Sequence, residues 1–252
     1  MTTYLEELSK ETALAASAES STFVSTSLTG VFVGEPTGTG VFNISYITPP
    51  GNNPEKSGIV GVPQCICVWE VENASAVYVS DPVIDPIEII DSSSSGSKTI
   101  INFNRVLGKT YVVGYCYGTP CSTQNIHPIG ALLTFAPGEN TGVPTTPTLS
   151  TPTIIGSSTV LSSFTTPQGN NPYNNCNWCG LASGSVITND GKQSWLKVRS
   201  CDSSMTNNNA TAFIEGVNLT LNHTYTFAFG YQGPAGSPTV GMYYTFVAEP
   251  SS

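Results

Sequence analysis

Two stretches of the chain are versions of one another, and that recurrence limits what it can fold into. The first, residues 107–137, reads LGKTYVVGYCYGTPCSTQNIHPIGALLTFAP; the second, residues 221–250, reads LNHTYTFAFGYQGPAGSPTVGMYYTFVAEP. Each opens Leu-x-x-Thr-Tyr, runs into alternating apolar residues, crosses a Gly/Pro loop and closes on a strand ending Thr-Phe. A further pair, TPPGNNP at residues 48–54 and TPQGNNP at 166–172, lies upstream in each half. Similarity at long period marks two copies of one unit. The offset shrinks from 118 (Gly51 to Gly169) through 114 (Tyr111 to Tyr225) to 111 (Phe135 to Phe246). Insertions and deletions therefore fall in loops between matched elements.

The elements themselves have period two. In residues 41–48, Phe42, Ile44 and Tyr46 alternate with Asn43 and Ser45, as on a strand with one buried face. Pro and Gly/Asn then stop that strand, because Pro removes a ladder donor and Gly and Asn accept positive φ. Further short strands follow at turn-punctuated intervals, seven or eight in about 115 residues, which is the count of an immunoglobulin-like sandwich. Residues 22–137 and 151–252 are expected as two β-sandwiches, joined by a Pro/Thr/Gly-rich, semi-extended linker at 138–150. Residues 1–21 form a short arm; Leu5, Leu8 and Ala15 give it a weak helical stripe over residues 3–19. Such an arm is either frayed or docked on a neighbouring subunit.

The Leu107-Gly-Lys-Thr-Tyr111 and Leu221-Asn-His-Thr-Tyr225 segments, each before a penultimate strand, resemble the tyrosine corner of fibronectin type III and related immunoglobulin-like sandwiches. The resemblance implies an all-β fold of two tandem immunoglobulin-like modules. It also implies that Tyr111 and Tyr225 bury their rings and return their hydroxyls to upstream backbone, with Leu107 and Leu221 as parts of the same corner. Such a fold serves adhesion, fibres, spacers and decoration alike, so it does not choose a function.

Composition narrows the choice by exclusion. Charged residues are 10% of the chain and the net charge is -9, with only eight Lys and Arg. That balance argues against binding a phosphate backbone, which requires clustered cations, and against an anionic membrane surface. No run of about 20 apolar residues is present to span a bilayer. The first twenty residues carry Glu6, Glu7 and Glu11 where a signal peptide would be apolar, so no standard secretion signal is read there. A polar, weakly charged chain of this kind is expected at an extracellular or virion surface.

No constellation for chemistry emerges. The chain has two histidines, His127 beside Pro128 and His223 inside a corner, and no G-x-S-x-G elbow; Gly180-Leu-Ala-Ser183-Gly184 has the wrong spacing. Phosphate-binding glycine loops are missing too. Asp81, Asp85, Glu88 and Asp91 concentrate acids, but intervening prolines and the lack of an EF-hand pattern favour a solvated edge over calcium. Sequons at Asn43, Asn73, Asn209, Asn218 and Asn222 matter only in a eukaryotic secretory route. The aromatics Tyr115, Tyr117, Phe227, Phe229, Tyr231, Tyr243 and Tyr244 could stack on a glycan, yet their period-two spacing fits core packing better.

Seven cysteines are many for a reducing compartment. Cys176-x-x-Cys179 lacks the helix N-terminus that redox chemistry uses. Cys65 and Cys67 share a strand face, but the other cysteines lie in different modules or loops, so no four-cysteine zinc site is expected. Structural disulfides are the expectation: Cys116 with Cys121 across a hairpin loop, and Cys201 with Cys176 or Cys179. No cofactor is expected. The sequence thus reads as a non-catalytic assembly protein, a surface subunit or decoration of a virion or filament, whose partners are copies of itself or other subunits. An adhesion or carbohydrate-binding module is the alternative.

Overall fold

The computed structural model of the protein describes residues 25–28, 30–33, 41–55, 63–72, 81–101, 103, 106, 108–118, 128–137, 139, 142–185, 187, 194–232 and 239–249. The expected N-terminal arm, Leu107, Cys121 and His127 lie outside those residues.

Among the described residues the regular elements are all strands, with no helix and no barrel. The first half supplies β1 (Ser25–Leu28), β2 (Gly30–Val33), β3 (Phe42–Ile47), β4 (Cys65–Val71), β5 (Ile87–Glu88), β6 (Ser95–Ile100), β7 (Thr110–Cys116) and β8 (Ile129–Phe135). The second supplies β9 (Val143–Thr145), β10 (Thr148–Leu149), β11 (Thr153–Ile155), β12 (Thr159–Thr165), β13 (Trp178–Ser183), β14 (Trp195–Ser200), β15 (Asn209–Glu215), β16 (Thr224–Gly230) and β17 (Val240–Val247).

The halves repeat one β-sandwich-like plan. One sheet of the first half runs β5-β4-β7-β8-β9, and its counterpart runs β14-β13-β16-β17-β1. The smaller sheets are β2-β3-β6 and a set in which β12 pairs β15 on one side and β10 and β11 on the other. All described pairings are antiparallel. Alternation decides which side chains enter the core: Ile66 and Val68 of β4 meet Tyr111, Val113 and Tyr115 of β7 and Leu133 and Phe135 of β8. The equivalent residues of the second half, including Leu181, Phe227, Phe229 and Phe246, belong to the same continuous cluster.

The outer faces of the two large sheets are buried as well. Cys65, Cys67, Trp69, Val112, Cys116 and Leu132 form one such patch, and Trp178, Ile187, Ala228, Val240 and Tyr243 the other. This explains why β4, β7, β8 and β16 read as near-continuous apolar runs, whereas β12 keeps an inside-outside alternation.

Both corner tyrosines are buried, and each hydroxyl accepts a hydrogen bond from a backbone N–H five residues upstream: Val106 N–H to Tyr111 Oη at 3.0 Å, Thr220 N–H to Tyr225 Oη at 2.8 Å. The turn before each tyrosine passes through the left-handed region at matched positions, Gly108 (φ 85°) and Asn222 (φ 60°). Glycine carries no Cβ penalty there and asparagine is the side chain that tolerates it best. Leu221 is exposed, so the second corner is held by its tyrosine and not by its leucine.

Within the expected linker the described residues include two short strands, Val143–Thr145 and Thr148–Leu149. Of these, β9 hydrogen-bonds along β8 (Leu132 with Thr145, Thr134 with Val143) and β10 along β12 (Leu149 with Phe164). Segments of two or three residues carry too little pattern to be read as strands; a partner edge makes them so.

Replacing Tyr225 with Phe leaves the Thr220 N–H without its acceptor at unchanged volume. The variant is expected to lose about 1–2 kcal/mol in urea unfolding, and an unchanged midpoint would show that the hydroxyl contributes nothing.

Candidate functional site

Three features of the fold have chemical content: the edges where strands are exchanged, the junction between halves, and the cysteines.

The exchange follows from the duplication. Ser25 and Val143 are 118 residues apart, the offset that also relates the two GNNP turns, so β1 and β9 are the same element of the two copies. β9 adds to β8, the last strand of the copy before it. β1 adds to β17, the last strand of the copy after it, with Ser25 opposite Thr245, Thr26 opposite Tyr244, Ser27 opposite Tyr243 and Leu28 opposite Met242. Each half thereby covers the other's open edge. An uncovered edge would present a row of backbone donors and acceptors to any passing strand.

At the junction Tyr117 and Tyr231, matched residues following β7 and β16, stack with centroids 4.6 Å apart and planes 13° from parallel. Tyr117 Oη donates to the Val240 carbonyl at 3.3 Å, and Asn52 of the first GNNP turn forms a β-bridge with Thr239. Thr239 Oγ1 accepts from Trp178 Nε1 at 3.4 Å and donates to the Gln232 carbonyl at 3.0 Å. Behind this row, Asn52 and Gln64 exchange amide hydrogen bonds at 2.9 and 2.6 Å, and Tyr115 Oη donates to Gln64 Oε1 at 2.5 Å. Burial pushes the hydroxyls of Tyr115 and Tyr231 well above their ordinary range, with Tyr117 adding to both. Burial, with Asp91 nearby, moves Tyr46 up to about 12. Asn52, Gln64 and Tyr115 are satisfied by one another and so resist displacement, whereas buried Tyr231 Oη has no partner among the described residues and its ring is held by stacking.

The cysteines are arranged differently from the expected disulfides. No described cysteine is bridged; Cys65, Cys67, Cys116, Cys179 and Cys201 are buried thiols and Cys176 is exposed. Cys116 is a free thiol lying with Cys65 and Cys67, not a clip of its own hairpin loop. It is the cross-strand partner of Cys65, and Cys65 Sγ lies 3.6 Å from Cys67 Sγ. The three sulfurs all lie within 4.8 Å of one another. Of the two partners considered for Cys201, Cys179 is the one it touches. Burial first, then the Cys201 contact, raises the Cys179 thiol. Burial and contacts with Cys65 and Cys67 raise Cys116. Cys67 is pulled down by Cys116, but its bond to Cys65 and its burial outweigh that and leave it well above the usual thiol range.

The remaining candidates are dispersed. Ser183 and His223 do meet, with Oγ and Nε2 2.7 Å apart, but both lie at the surface, and the His223 ring packs edge-on to Tyr225. Among the described residues no carboxylate hydrogen-bonds that ring, so a base lacks the third group that would orient it. Tyr115, Tyr117, Phe227, Phe229, Tyr231, Tyr243 and Tyr244 are all buried and offer no face to a sugar. Asp81, Asp85, Glu88 and Asp91 are exposed; Asp91 accepts from Tyr46 Oη at 3.3 Å and from the Ser93 N–H at 3.1 Å. Among the described residues no helix is long and apolar enough to cross a membrane. The chain matches no protein-family model, and no curated protein matches it in sequence.

Two measurements follow. With Tyr46, Tyr115 and Tyr231 ionising less readily folded than unfolded, their contribution to stability is whole below about pH 10 and lost as pH rises beyond it. The buried Cys67, Cys116 and Cys179 thiols add the same dependence from about pH 8.5, so the urea midpoint is expected to begin falling there and to fall more steeply above about pH 10; a flat profile to pH 11 would contradict these burials. Under reducing native conditions iodoacetamide is expected to label Cys176 first, and Cys67 and Cys116 only on unfolding. Equal labelling rates would contradict the cluster.

Proposed function

We propose that the chain is a non-catalytic structural subunit of two tandem immunoglobulin-like, fibronectin type III-like sandwiches that assembles with copies of itself by strand addition. The reading extends to a surface subunit or decoration of a virion or extracellular filament. The observation that carries it is the exchange of equivalent strands. β9 extends the sheet of the preceding copy, and β1, the same element, is able to make the same antiparallel join on the β17 of a preceding molecule. A chain that closes on itself and a chain that links head to tail then use one set of hydrogen bonds. Main-chain pairing supplies affinity in such joins, and flanking side chains supply register. A heterologous join that does not close generates a filament, whereas the reciprocal one caps it.

The buried state of the seven aromatics named above weighs against carbohydrate binding. The surface position of Ser183 and His223, without a described cavity around them, weighs against hydrolysis.

Mixing chains carrying only Ser25→Cys with chains carrying only Thr245→Cys tests the join, because those residues are opposite each other in the ladder. Under mild oxidation the proposal expects disulfide-linked ladders containing the 25–245 pair between molecules, increasing with concentration. Failure to find that pair between chains, in material that light scattering shows to be oligomeric, would overturn strand addition as the means of assembly.

A further inference from the structure

The cluster of Cys65, Cys67 and Cys116 is not explained by assembly. Period-two geometry puts Cys65 and Cys67 on the same face of β4, and the β4–β7 register puts Cys116 directly across from Cys65. The patch around them contains Trp69, Val71, Val112, Ile129 and Leu132 and excludes water.

The duplication provides an internal comparison. With Tyr111 matched to Tyr225, the ladders of β4–β7 and β13–β16 equate Cys65 with Trp178, Cys67 with Gly180 and Cys116 with Gly230. In the second copy an indole fills this space: a Cβ on Gly230 would lie 2.0 Å from the Trp178 ring, and one on Gly180 would lie 2.8 Å from Trp195. Packing on this face is therefore satisfied without sulfur. Three thiols in the equivalent place of the first copy are a separate choice of chemistry.

We propose that Cys65, Cys67 and Cys116 form a three-thiolate site for a divalent, thiophilic metal ion of the zinc type. A metal–sulfur bond of about 2.3 Å places the three sulfurs of a trigonal, three-coordinate ion about 4.0 Å apart. The sulfurs stand at 3.6 Å for Cys65 and Cys67, and all within 4.8 Å, so the ion requires sulfur shifts of less than about 1 Å and no backbone rearrangement. Soft sulfur donors select against calcium and magnesium. Charge selects the valence: three thiolates around a divalent ion leave one net negative charge in an apolar patch, and around a monovalent ion two. Binding replaces three thiol protons by one metal ion, and three protons leave to solvent. No electron moves. The ion would tie β4 to β7 at the centre of the first large sheet and stabilise that half only when metal is present.

Reduced full-length protein titrated anaerobically with Cd2+ tests this. One ion per chain, thiolate-to-cadmium charge-transfer absorption and three protons released per ion are expected. Apparent affinity should fall by roughly 10³-fold for each pH unit of acidification while the thiols are protonated. Cys67→Ala and Cys116→Ala should abolish the band, and Cys176→Ala should leave it intact. Should either of the first two variants fail to fold, X-ray absorption of the cadmium-loaded wild-type chain decides by counting sulfur neighbours: three support the site, and one or none overturns it. Absence of the band in the wild type, its persistence in folded Cys67→Ala, or a Cys65–Cys116 disulfide that survives in the protein as isolated would each overturn it too.

Discussion

A sheet ends on backbone groups that must find partners, and the rest of this structure depends on how two such ends are covered. β8 and β17 are the terminal strands of equivalent sheets. Each carries apolar residues on both faces, so neither can be left flat and open without inviting another chain. The solution is reciprocal: the strand that precedes each copy lies on the other copy's last strand. Because β1 and β9 are related by the duplication, the closed molecule contains a template for an open one. Under the proposed strand addition, assembly is a matter of which β17 a given β1 finds.

The exchange requires the halves to be held in a fixed relation, and the junction is built for it. Tyr117 on Tyr231, Tyr117 on the Val240 carbonyl and Asn52 against Thr239 join the two copies, the first through matched residues. Gly241 carries no side chain, and a Cβ there would lie 2.0 Å from the Tyr231 ring. The outer faces of the large sheets then diverge in chemistry while keeping the same register. Where one packs Trp178 against Gly230, the other gathers three thiols beside Trp69.

What was legible in the sequence was local. Alternation at Phe42 to Tyr46, the GNNP turns and the Tyr111 and Tyr225 corners each depend on residues a few positions apart, so the all-β class and the duplication could be read directly. The exchange could not. β1 and β9 are four and three residues long, and the partner of Ser25 is Thr245, at the other end of the chain. The thiol cluster was hidden for a related reason. Nearness in sequence pairs Cys116 with Cys121, whereas the β4–β7 register places it against Cys65, 51 positions away. Leu221 shows the reverse error, a residue of the motif that takes no part in the core.

Native-state hydrogen exchange at the two terminal strands tests the central claim most directly. Alternate amides of residues 242–245 in β17 face β1, as alternate amides of residues 132–134 in β8 face β9. In the intact chain both sets are expected to be protected well above open-edge rates, and removal of residues 1–28 should release the β17 set while leaving the β8 set protected. Rapid exchange of the β17 set in the intact chain, or its indifference to that removal, would contradict the exchange of strands.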